Sequence, residues 1–256
     1  MFQPTLFFSV LFSLVSASIY FYVGYRLSQR RIASPDTRLA WNLLIVWWYC
    51  LAASTLINGL RNFLGLLNIT DLALFITFSQ VSLLAICVSL HGLLYYLLYL
   101  FTGNRKLLTP LTLFYIVYFI LLVYYTNALI PIGITLERWN TSIQYQEEAT
   151  GPFFIIILLL LIFPQIIGSL AYFTLFFRVE NTTQKYRIAL VSWSIIIWFG
   201  ASFLASITGF GQQDWWQITS RLLGLAAAWT ILMAYEPLPW LKQRLGVTSI
   251  GETTGD

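Results

Sequence analysis

Arg221 and Glu236 are the charged side chains of an otherwise apolar segment, residues 219–241, which reads "TSRLLGLAAAWTILMAYEPLPWL". A charge inside a membrane helix costs at least ~2.5 kcal/mol on insertion scales, so it usually faces protein or water. Arg221 therefore has two expected roles: it bridges to a carboxylate, or it meets an anionic ligand group in an outer cavity. Glu236 lies at the other end of the segment, where it can reach water or Lys242, and we expect it at the surface.

The third apolar segment places three polar side chains on one helix face. Gln80, Cys87 and His91 are separated by 7 and 4 residues, spacings that return to the same side of an α-helix. Such side chains either hydrogen-bond to a neighbouring membrane helix, at about 0.6–2 kcal/mol each, or line a ligand cavity. The sequence leaves both interpretations open: an interhelical polar seam or a ligand lining.

Two further segments contain candidate polar residues. In "STLINGLRN", Ser54, Asn58 and Arg61 are expected on one face, although Arg61 can also extend its guanidinium to the membrane surface. Pro164 removes a backbone hydrogen bond and kinks its helix, and Gln165 either satisfies the freed carbonyl or points into a cavity. The candidate ligand-binding residues are Arg221, Gln80, Arg61, Asn58 and Gln165.

The inventory of reactive side chains argues against catalysis. His91 is the only histidine, so neither a bis-histidine haem nor a multi-histidine metal site forms within one chain. A retinal Schiff base needs a lysine in the last span, and residues 215–235 contain none. No Gly-rich phosphate loop is expected, because no strand is evident. Cys50 and Cys87 are expected as free thiols packed like small hydrophobic residues. We therefore expect no enzyme activity, no cofactor and no metal.

Membrane-spanning helices must position these residues. Of the 256 residues, 59% are hydrophobic and 9% are charged, a composition typical of a membrane protein. A span needs about 20 mostly apolar residues. The chain supplies seven such runs: 5–26, 39–62, 72–101, 107–130, 152–177, 188–210 and 215–235. They predict an all-α, seven-transmembrane helix bundle within a single domain, 1–241, followed by a short polar tail, 242–256.

Lysine and arginine are unevenly distributed between the two sides of this bundle. Of the 14, 11 lie in or beside the first, third and fifth loops and the tail, whereas Arg61, Arg138 and Arg221 lie on the other side. The positive-inside rule then predicts an outside amino terminus and a cytoplasmic carboxyl terminus. We expect a multi-pass membrane protein. The short loops do not build the basic surface that a nucleic acid would need.

The loop of residues 131–151 is about 20 residues long, and loops of this length tend to be functional or disordered. It is expected either to cover an outward-facing site or to form a solvated loop. The candidate counter-charges for Arg221 are at the same side of the membrane: Asp71, Asp214, Glu137, Glu147 and Glu148.

A weak internal repeat relates helices one to three with helices five to seven. At an offset of 150, "VWWYC" from Val46 matches "IIWFG" from Ile196, and "LINGL" from Leu56 matches "SITGF" from Ser206. Two apolar helices often match this well by composition alone. An inverted repeat would favour a transporter with a site near the midplane. The residues at that depth are Gln165, Cys50, Cys87 and Trp198.

Several phrases of the chain resemble one known family. The third helix closes with "YLFTGNRKLLTP", the fourth ends in "YYTNALIP", the fifth opens with "GPFF" and leaves through "LFFRVENTTQKYRIAL", and the seventh ends in "AWTILMAYEPLPWL". These phrases resemble the amino-terminal seven-transmembrane sensor region of bacterial histidine kinases and related signalling proteins. The resemblance implies a sensor fold with an outside amino terminus, in the bacterial inner (plasma) membrane. Only 15 residues follow Leu241, so we expect the output domain on a separate partner.

Three hypotheses for function follow. The first is a sensor or receptor-like module that binds an unknown small ligand in the outer half of the bundle and signals to a cytoplasmic or membrane partner. The second is a small-solute transporter of the 3+1+3 helix kind, and the third is a structural membrane subunit packed through small residues. Each has the lipid bilayer as its surroundings.

Overall fold

The computed structural model describes residues 4–29, 35–146, 163–208 and 213–249, with residues 35–36 and 201–208 described by their backbone alone. These ranges form helices and a β-hairpin. In chain order the elements are α1 (Pro4–Ser28), α2 (Pro35–Leu66), α3 (Leu72–Thr102), α4 (Leu108–Ala128), β1 (Pro131–Leu136), β2 (Thr141–Tyr145), α5 (Phe163–Thr174), α6 (Thr182–Thr208), α7 (Asp214–Tyr235) and α8 (Pro239–Leu245). Short 3-10 turns occupy Arg105–Leu107 and Leu175–Phe177.

Five helices of the described ranges are long and apolar enough to cross a membrane: Pro4–Ser28, Thr37–Leu66, Leu72–Thr102, Arg105–Ala128 and Asp214–Tyr235. They coincide within a few residues with five of the predicted spans, which supports a helical membrane protein. Of the other two predicted spans, 152–162 and 209–210 lie outside the described residues. The parts that are described, α5 and α6, are helical.

The turn between α3 and α4 contains Arg105 and Lys106, and capping hydrogen bonds determine its conformation. Asp71 begins the helix by accepting a hydrogen bond from Leu74 N–H. Gly103 ends it in the left-handed conformation, with φ +63° and its N–H bonded to Tyr99 O, a conformation that glycine adopts without steric cost. Asn104 then accepts from Lys106 N–H and starts the 3-10 turn. The "TGNRK" phrase therefore forms a compact turn that leads directly into α4.

The hairpin differs from the sequence-based expectation. We find no strand in the sequence, and for residues 131–145 that is wrong, because β1 and β2 pair antiparallel with Ile134 opposite Ile143 and Leu136 opposite Thr141. The register shifts between Pro131 and Gly133. β-branched residues alternate through this stretch, as strands favour. The alternating pattern is short and adjoins an apolar span, so hydrophobic periodicity alone does not distinguish the strands from the preceding helix.

The helices pack as a bundle around α2. α2 packs on α1 and α3, α7 packs on α1 and α6, and α5 packs between α3 and α6. The core is aromatic: Tyr20 lies 5.9 Å from Trp48 and stacks on Trp198 at 5.3 Å, measured between ring centroids. Gly92 lets α3 approach the backbone of α2, since a Cβ there would lie 2.5 Å from Leu43 O. Among the described elements, α4 packs mainly on α3.

The bundle has two different ends. The end that carries the hairpin, called here the hairpin end, gathers the starts of α1, α3 and α7 and the ends of α2 and α4. At the opposite end, called the tail end, Arg26 and Glu236 form an ion pair at 2.6 Å. Glu236, which we expect at the surface, is partly exposed there and links α1 to α7.

The tail folds back on the start of α6 instead of extending from it. Thr248 N–H donates to Thr183 Oγ1 at 3.3 Å, and Arg187 Nη2 donates to Thr248 O at 2.9 Å. Val247 is buried, with 2% of its surface exposed. The sequence predicts a short polar tail from residue 242, and within it Thr248 contacts the start of α6 while residues 243–246 are exposed.

Candidate ligand site at the hairpin end

The hairpin is fixed to the helix bundle by the last turns of α2. Asn62 Oδ1 accepts from Thr141 N–H at 2.9 Å, and Asn62 Nδ2 donates to Ser9 Oγ at 3.1 Å. Arg61 Nη2 donates to Thr141 O at 3.0 Å. A side chain at position 65 would clash with Thr141 Oγ1, so Gly65 allows the strand to approach. Residue 141, the first of β2, is therefore held by α2 on both its N–H and its carbonyl.

The connection between the two strands is held by the first residue of α7. The Asp214 carboxylate accepts from the Arg138 guanidinium and from Trp139 Nε1, the latter at 2.8 Å. Thr5 Oγ1 donates to Arg138 O at 2.5 Å. Trp139 is buried while Arg138 is exposed. α1, α2 and α7 thus all contact the hairpin, which covers this end of the bundle.

Arg221 binds neutral oxygen atoms of three elements. Its Nε donates to Ser9 Oγ at 3.1 Å, and its Nη1 donates to Gln217 O at 3.1 Å and to Gln217 Oε1 at 2.5 Å. Its Nη2 donates to Ser9 Oγ at 2.9 Å, Trp139 O at 3.0 Å and Asn140 Oδ1 at 2.7 Å. The guanidinium also lies 5.3 Å from the ring centroid of Trp139. These contacts use the five N–H donors of the guanidinium.

The expected carboxylate partner of Arg221 is not found among the described residues. Asp71 caps α3, Glu137 Oε1 accepts from Ser142 Oγ at 2.7 Å, and Asp214 binds the strand connection. Glu147 and Glu148 lie outside the described residues. Within the described ranges Arg221 forms no ion pair. Among the described residues Arg221 lies in a cage of carbonyl, amide and hydroxyl oxygens, which α1, α7 and the folded hairpin supply.

Arg61 is much less satisfied than Arg221. Its hydrogen bond to Thr141 O is the one it makes among the described residues, and its Nε is buried without a hydrogen-bond partner. Within the same ranges it forms no ion pair. Burial raises the pKa of the Tyr145 phenol, and the nearby Arg61 guanidinium acts against that rise. Arg61 is therefore a cation with unused N–H donors beside β2, whose first residue it binds.

A cavity of about 160 Å³ lies between α3, α4 and the hairpin. Gln80 of α3 and Asn127 of α4 contribute its amide groups, and Gln80 Nε2 donates to Asn127 Oδ1 at 3.5 Å, the long limit of a hydrogen bond. Tyr145 contributes a phenol from β2. Apolar and hydroxyl side chains complete the lining: Ile76, Ser79, Leu83, Thr126, Pro131 and Ile143. The lining is apolar with a few polar groups, as is usual for small-molecule sites.

His91 and Cys87 belong to a different cavity. A cleft of about 150 Å³ between α3 and α4 is lined by Cys87, His91, Thr112 and Tyr115 among others. His91 Nε2 lies 3.0 Å from Thr112 Oγ1, and the His91 and Tyr115 rings are 5.8 Å apart. Gln80 and His91 are 11 residues apart, about 16 Å along a helix. Gln80 and His91 each have a hydrogen-bond partner on α4, but they do not share a site.

Asn58 and Gln165 line neither cavity. Asn58 shares a helical stripe with the buried residues Ser54 and Asn62, yet its own side chain is exposed. Gln165 is fully buried and its Nε2 donates to Tyr115 OH at 3.4 Å, while its Oε1 has no hydrogen-bond partner. Gln165 therefore links α5 to α4. Among the described residues, no three His, Cys, Asp or Glu side chains gather as metal ligands would.

Several residues that complete the hairpin end are not among the sequence-based candidates. Asn127 is visible in the "YYTNALIP" phrase, and Asn62 directly follows Arg61. Ser9 and Thr141 give no comparable signal, because a hydroxyl in or beside an apolar run usually bonds to its own helix or to water. Their importance becomes evident only when the hairpin is seen to close on α1, α2 and α7.

The fold and this site define a helical, multi-pass membrane protein whose one end is covered by a hairpin. Comparison of the chain with protein-family models, with curated proteins and with solved structures finds no match. The chemistry of the site is therefore the guide to function.

Proposed function

We propose that this protein is a sensor or receptor-like module of bacterial signal transduction that binds a small ligand at the hairpin end. The proposal includes seven spans, with 152–177 and 188–210 completing the bundle, and an orientation with the hairpin end outside and the tail end in the cytoplasm. The resemblance to the seven-transmembrane sensor region of histidine kinases and the distribution of lysine and arginine support it. Its output is a separate partner at the tail end.

The cavity between α3, α4 and the hairpin is the observation on which the proposal depends. Its volume, about 160 Å³, is close to that of cavities that hold a benzene-sized molecule. The long Gln80–Asn127 contact leaves most amide donors and acceptors of both residues for a ligand. An amide pair that served only to join α3 to α4 would be expected at the usual distance of about 2.9 Å, so the long contact favours a ligand site.

α4 provides a route from this cavity to the tail end. Among the described elements it packs mainly on α3, and it exposes Val117, Ile120 and Tyr124. At the tail end it is joined to α3 by Gly103 and the turn Arg105–Leu107. A ligand that separates the hairpin ends of α3 and α4 would therefore displace this basic turn. The positive charge of this turn, from Arg105 and Lys106, suits an acidic surface on the partner.

The binding step is tested by thermal stabilisation of the protein in nanodiscs with a panel of benzene-sized amphipathic compounds. A compound present at 100 times its dissociation constant stabilises the folded state by about 2.7 kcal/mol. Gln80→Leu and Asn127→Leu should abolish this stabilisation. Gln144→Leu is the matched control, because Gln144 is exposed on the same hairpin. If no compound distinguishes Gln80→Leu from Gln144→Leu, the proposed site is wrong.

The signalling step is tested by the distance between two spin labels at the tail end. Labels at Lys106→Cys and Gln184→Cys, in a chain whose Cys50 and Cys87 are replaced by serine, report on the turn after α3 and on the start of α6. A sensor changes this distance when the stabilising compound binds, and the change disappears with Gln80→Leu. Binding without a change, together with uptake of the compound into proteoliposomes, would favour the transporter hypothesis.

A further inference from the structure

Two arginines at the hairpin end differ in their capacity to bind an anion. Arg221 has its donors occupied by Ser9, Gln217, Trp139 and Asn140. Arg61 donates to Thr141 O, and its buried Nε has no partner among the described residues. From the sequence we expect Arg221 either to bridge to a carboxylate or to bind an anionic ligand group, but the unoccupied donors within the described ranges belong to Arg61.

The strand β2 connects Arg61 to the cavity described above. Arg61 holds the carbonyl of Thr141, and Ile143 and Tyr145, at alternate positions of the same strand, line the cavity. Alternate residues of a strand face the same side and lie about 7 Å apart. The Ile143 edge of the cavity is therefore about 7 Å along the strand from the carbonyl that Arg61 binds. The electrostatic effect of Arg61 on Tyr145 agrees with this proximity.

Three arginines at the hairpin end, Arg61, Arg138 and Arg221, are matched in number by three carboxylates among the described residues, but none of these carboxylates pairs with Arg61. Arg61 and Arg221 form no ion pair among the described residues, and Asp214 is used by Arg138. Glu137 is the acidic residue of the described hairpin strands and their connection, and its carboxylate accepts from Ser142 Oγ. A guanidinium with unused, partly buried donors binds a carboxylate through paired charge-assisted hydrogen bonds. A neutral ligand would offer these donors only uncharged acceptors, which bind a guanidinium more weakly, and a cationic group would be repelled.

We infer that the ligand is a small amphipathic monocarboxylic acid whose carboxylate binds Arg61 and whose apolar part fills the cavity between α3, α4 and the hairpin. This inference rests on the proposed ligand site and adds the chemical class of the ligand. The N–H groups of Gln80 and Asn127 and the O–H group of Tyr145 then donate to the π face of the ring, which leucine at position 80 or 127 would not do. A ring of benzene size with a two-carbon arm spans the required distance.

The probe is 3-phenylpropanoate, compared with 3-phenylpropanamide, which has the same shape and no charge. Equilibrium binding of both compounds is measured on the full chain in nanodiscs. The acid should bind the wild-type protein roughly tenfold or more tightly than the amide, as expected for a hydrogen-bonded charge. Arg61→Gln should remove this preference, and Arg61→Lys should retain part of it. Arg138→Gln removes one positive charge from the same hairpin end and should leave the preference unchanged.

Each result separates this inference from the proposed function. Equal binding of acid and amide by the wild-type protein overturns the carboxylate assignment, even if Gln80→Leu abolishes both and the site stands. The assignment is also overturned if Arg138→Gln lowers the preference as much as Arg61→Gln, because the effect is then general attraction. Preferential binding of the acid through Arg61 without a change in the tail-end distance supports the ligand class and counts against sensing. Since the acid–amide comparison uses the wild-type chain, it does not depend on the folding of any variant.

Discussion

Replacing Arg221 by glutamine tests whether the hairpin is held by this side chain. In the structure the guanidinium joins α7 to α1 through Ser9 and to the hairpin through Trp139 and Asn140. Glutamine is shorter and has two N–H donors, so it replaces at most part of these contacts. We expect Arg221→Gln to loosen the hairpin while the helices remain folded.

The size of the effect follows from the contacts that are lost. Hydrogen bonds between membrane helices are worth on average ~0.6 kcal/mol each, and the bonds to Ser9, Trp139 and Asn140 are the ones that link separate elements. The cation–π contact with Trp139, at 5.3 Å, adds roughly 0.5–1 kcal/mol. Together these terms predict a loss of about 2 kcal/mol. For a domain of this size that corresponds to a fall in Tm of roughly 4–8 °C.

Two separate assays are used: thermal unfolding in mild detergent, and limited proteolysis of the hairpin in the folded protein with chymotrypsin. Arg138→Gln is the control, since the Arg138–Asp214 pair has side chains that are 66% and 47% exposed and such surface pairs are worth about 0–1 kcal/mol. Arg221→Gln should lower Tm by more than the control and speed up cleavage after Trp139 or Tyr145. An equal fall in Tm for the two variants would refute the view that Arg221 holds the hairpin.

Two further predictions concern packing and topology. Gly92→Ala should destabilise the protein by about 1–3 kcal/mol, because its Cβ would lie 2.5 Å from Leu43 O. Gly224→Ala, where a Cβ meets nothing within 4 Å, should be neutral or stabilising, and the reverse order in unfolding experiments would contradict the packing of α3 on α2. In intact cells a membrane-impermeant thiol reagent should label Ser142→Cys and should not label Asn181→Cys. Labelling of position 181 from outside would overturn the proposed orientation.

The positions of the helices could be predicted because each membrane span is a long apolar run in the sequence. Each of the five apolar helices requires about 20 apolar residues in a row, and its boundaries agree with the predicted runs to within a few residues. The hairpin could not be found in the same way. Its strands have 6 and 5 residues. Their alternating pattern begins directly after the apolar end of α4, so the sequence shows no boundary between the helical and the strand pattern.

The candidate site could be predicted only in part, because sequence spacing gives the face of a helix and not the element that covers it. Gln80 and Arg61 lie at the hairpin end as expected, and their partners Asn127 and Thr141 come from α4 and the hairpin. Asn58 has the right helical spacing, but the hairpin contacts the next turn of α2. The side chain that takes part is therefore Asn62.

The partners of Arg221 could not be predicted from the sequence for a similar reason. A sequence displays carboxylates, so a buried cation is assigned to one of them, whereas backbone carbonyls are invisible until the fold is known. Trp139 O, Gln217 O and the side chains of Ser9 and Asn140 solvate the guanidinium without an opposite charge. Such dipoles stabilise the charge but do not cancel it, so Arg221 remains a cation without an ion pair among the described residues.

The occupancy of their N–H donors assigns different roles to two arginines with the same chemistry. Arg221 has no donor left, so it acts on the stability of the hairpin. Arg61 has donors left and lies beside the strand that lines the cavity, so it acts on the charge of the ligand. The two effects should be separable: Arg61→Gln should reduce the preference for 3-phenylpropanoate over its amide by the same factor whether or not Arg221 is also replaced by glutamine. A factor that shrinks to one in the Arg221→Gln background would mean that the hairpin, and not Arg61 itself, sets the ligand preference.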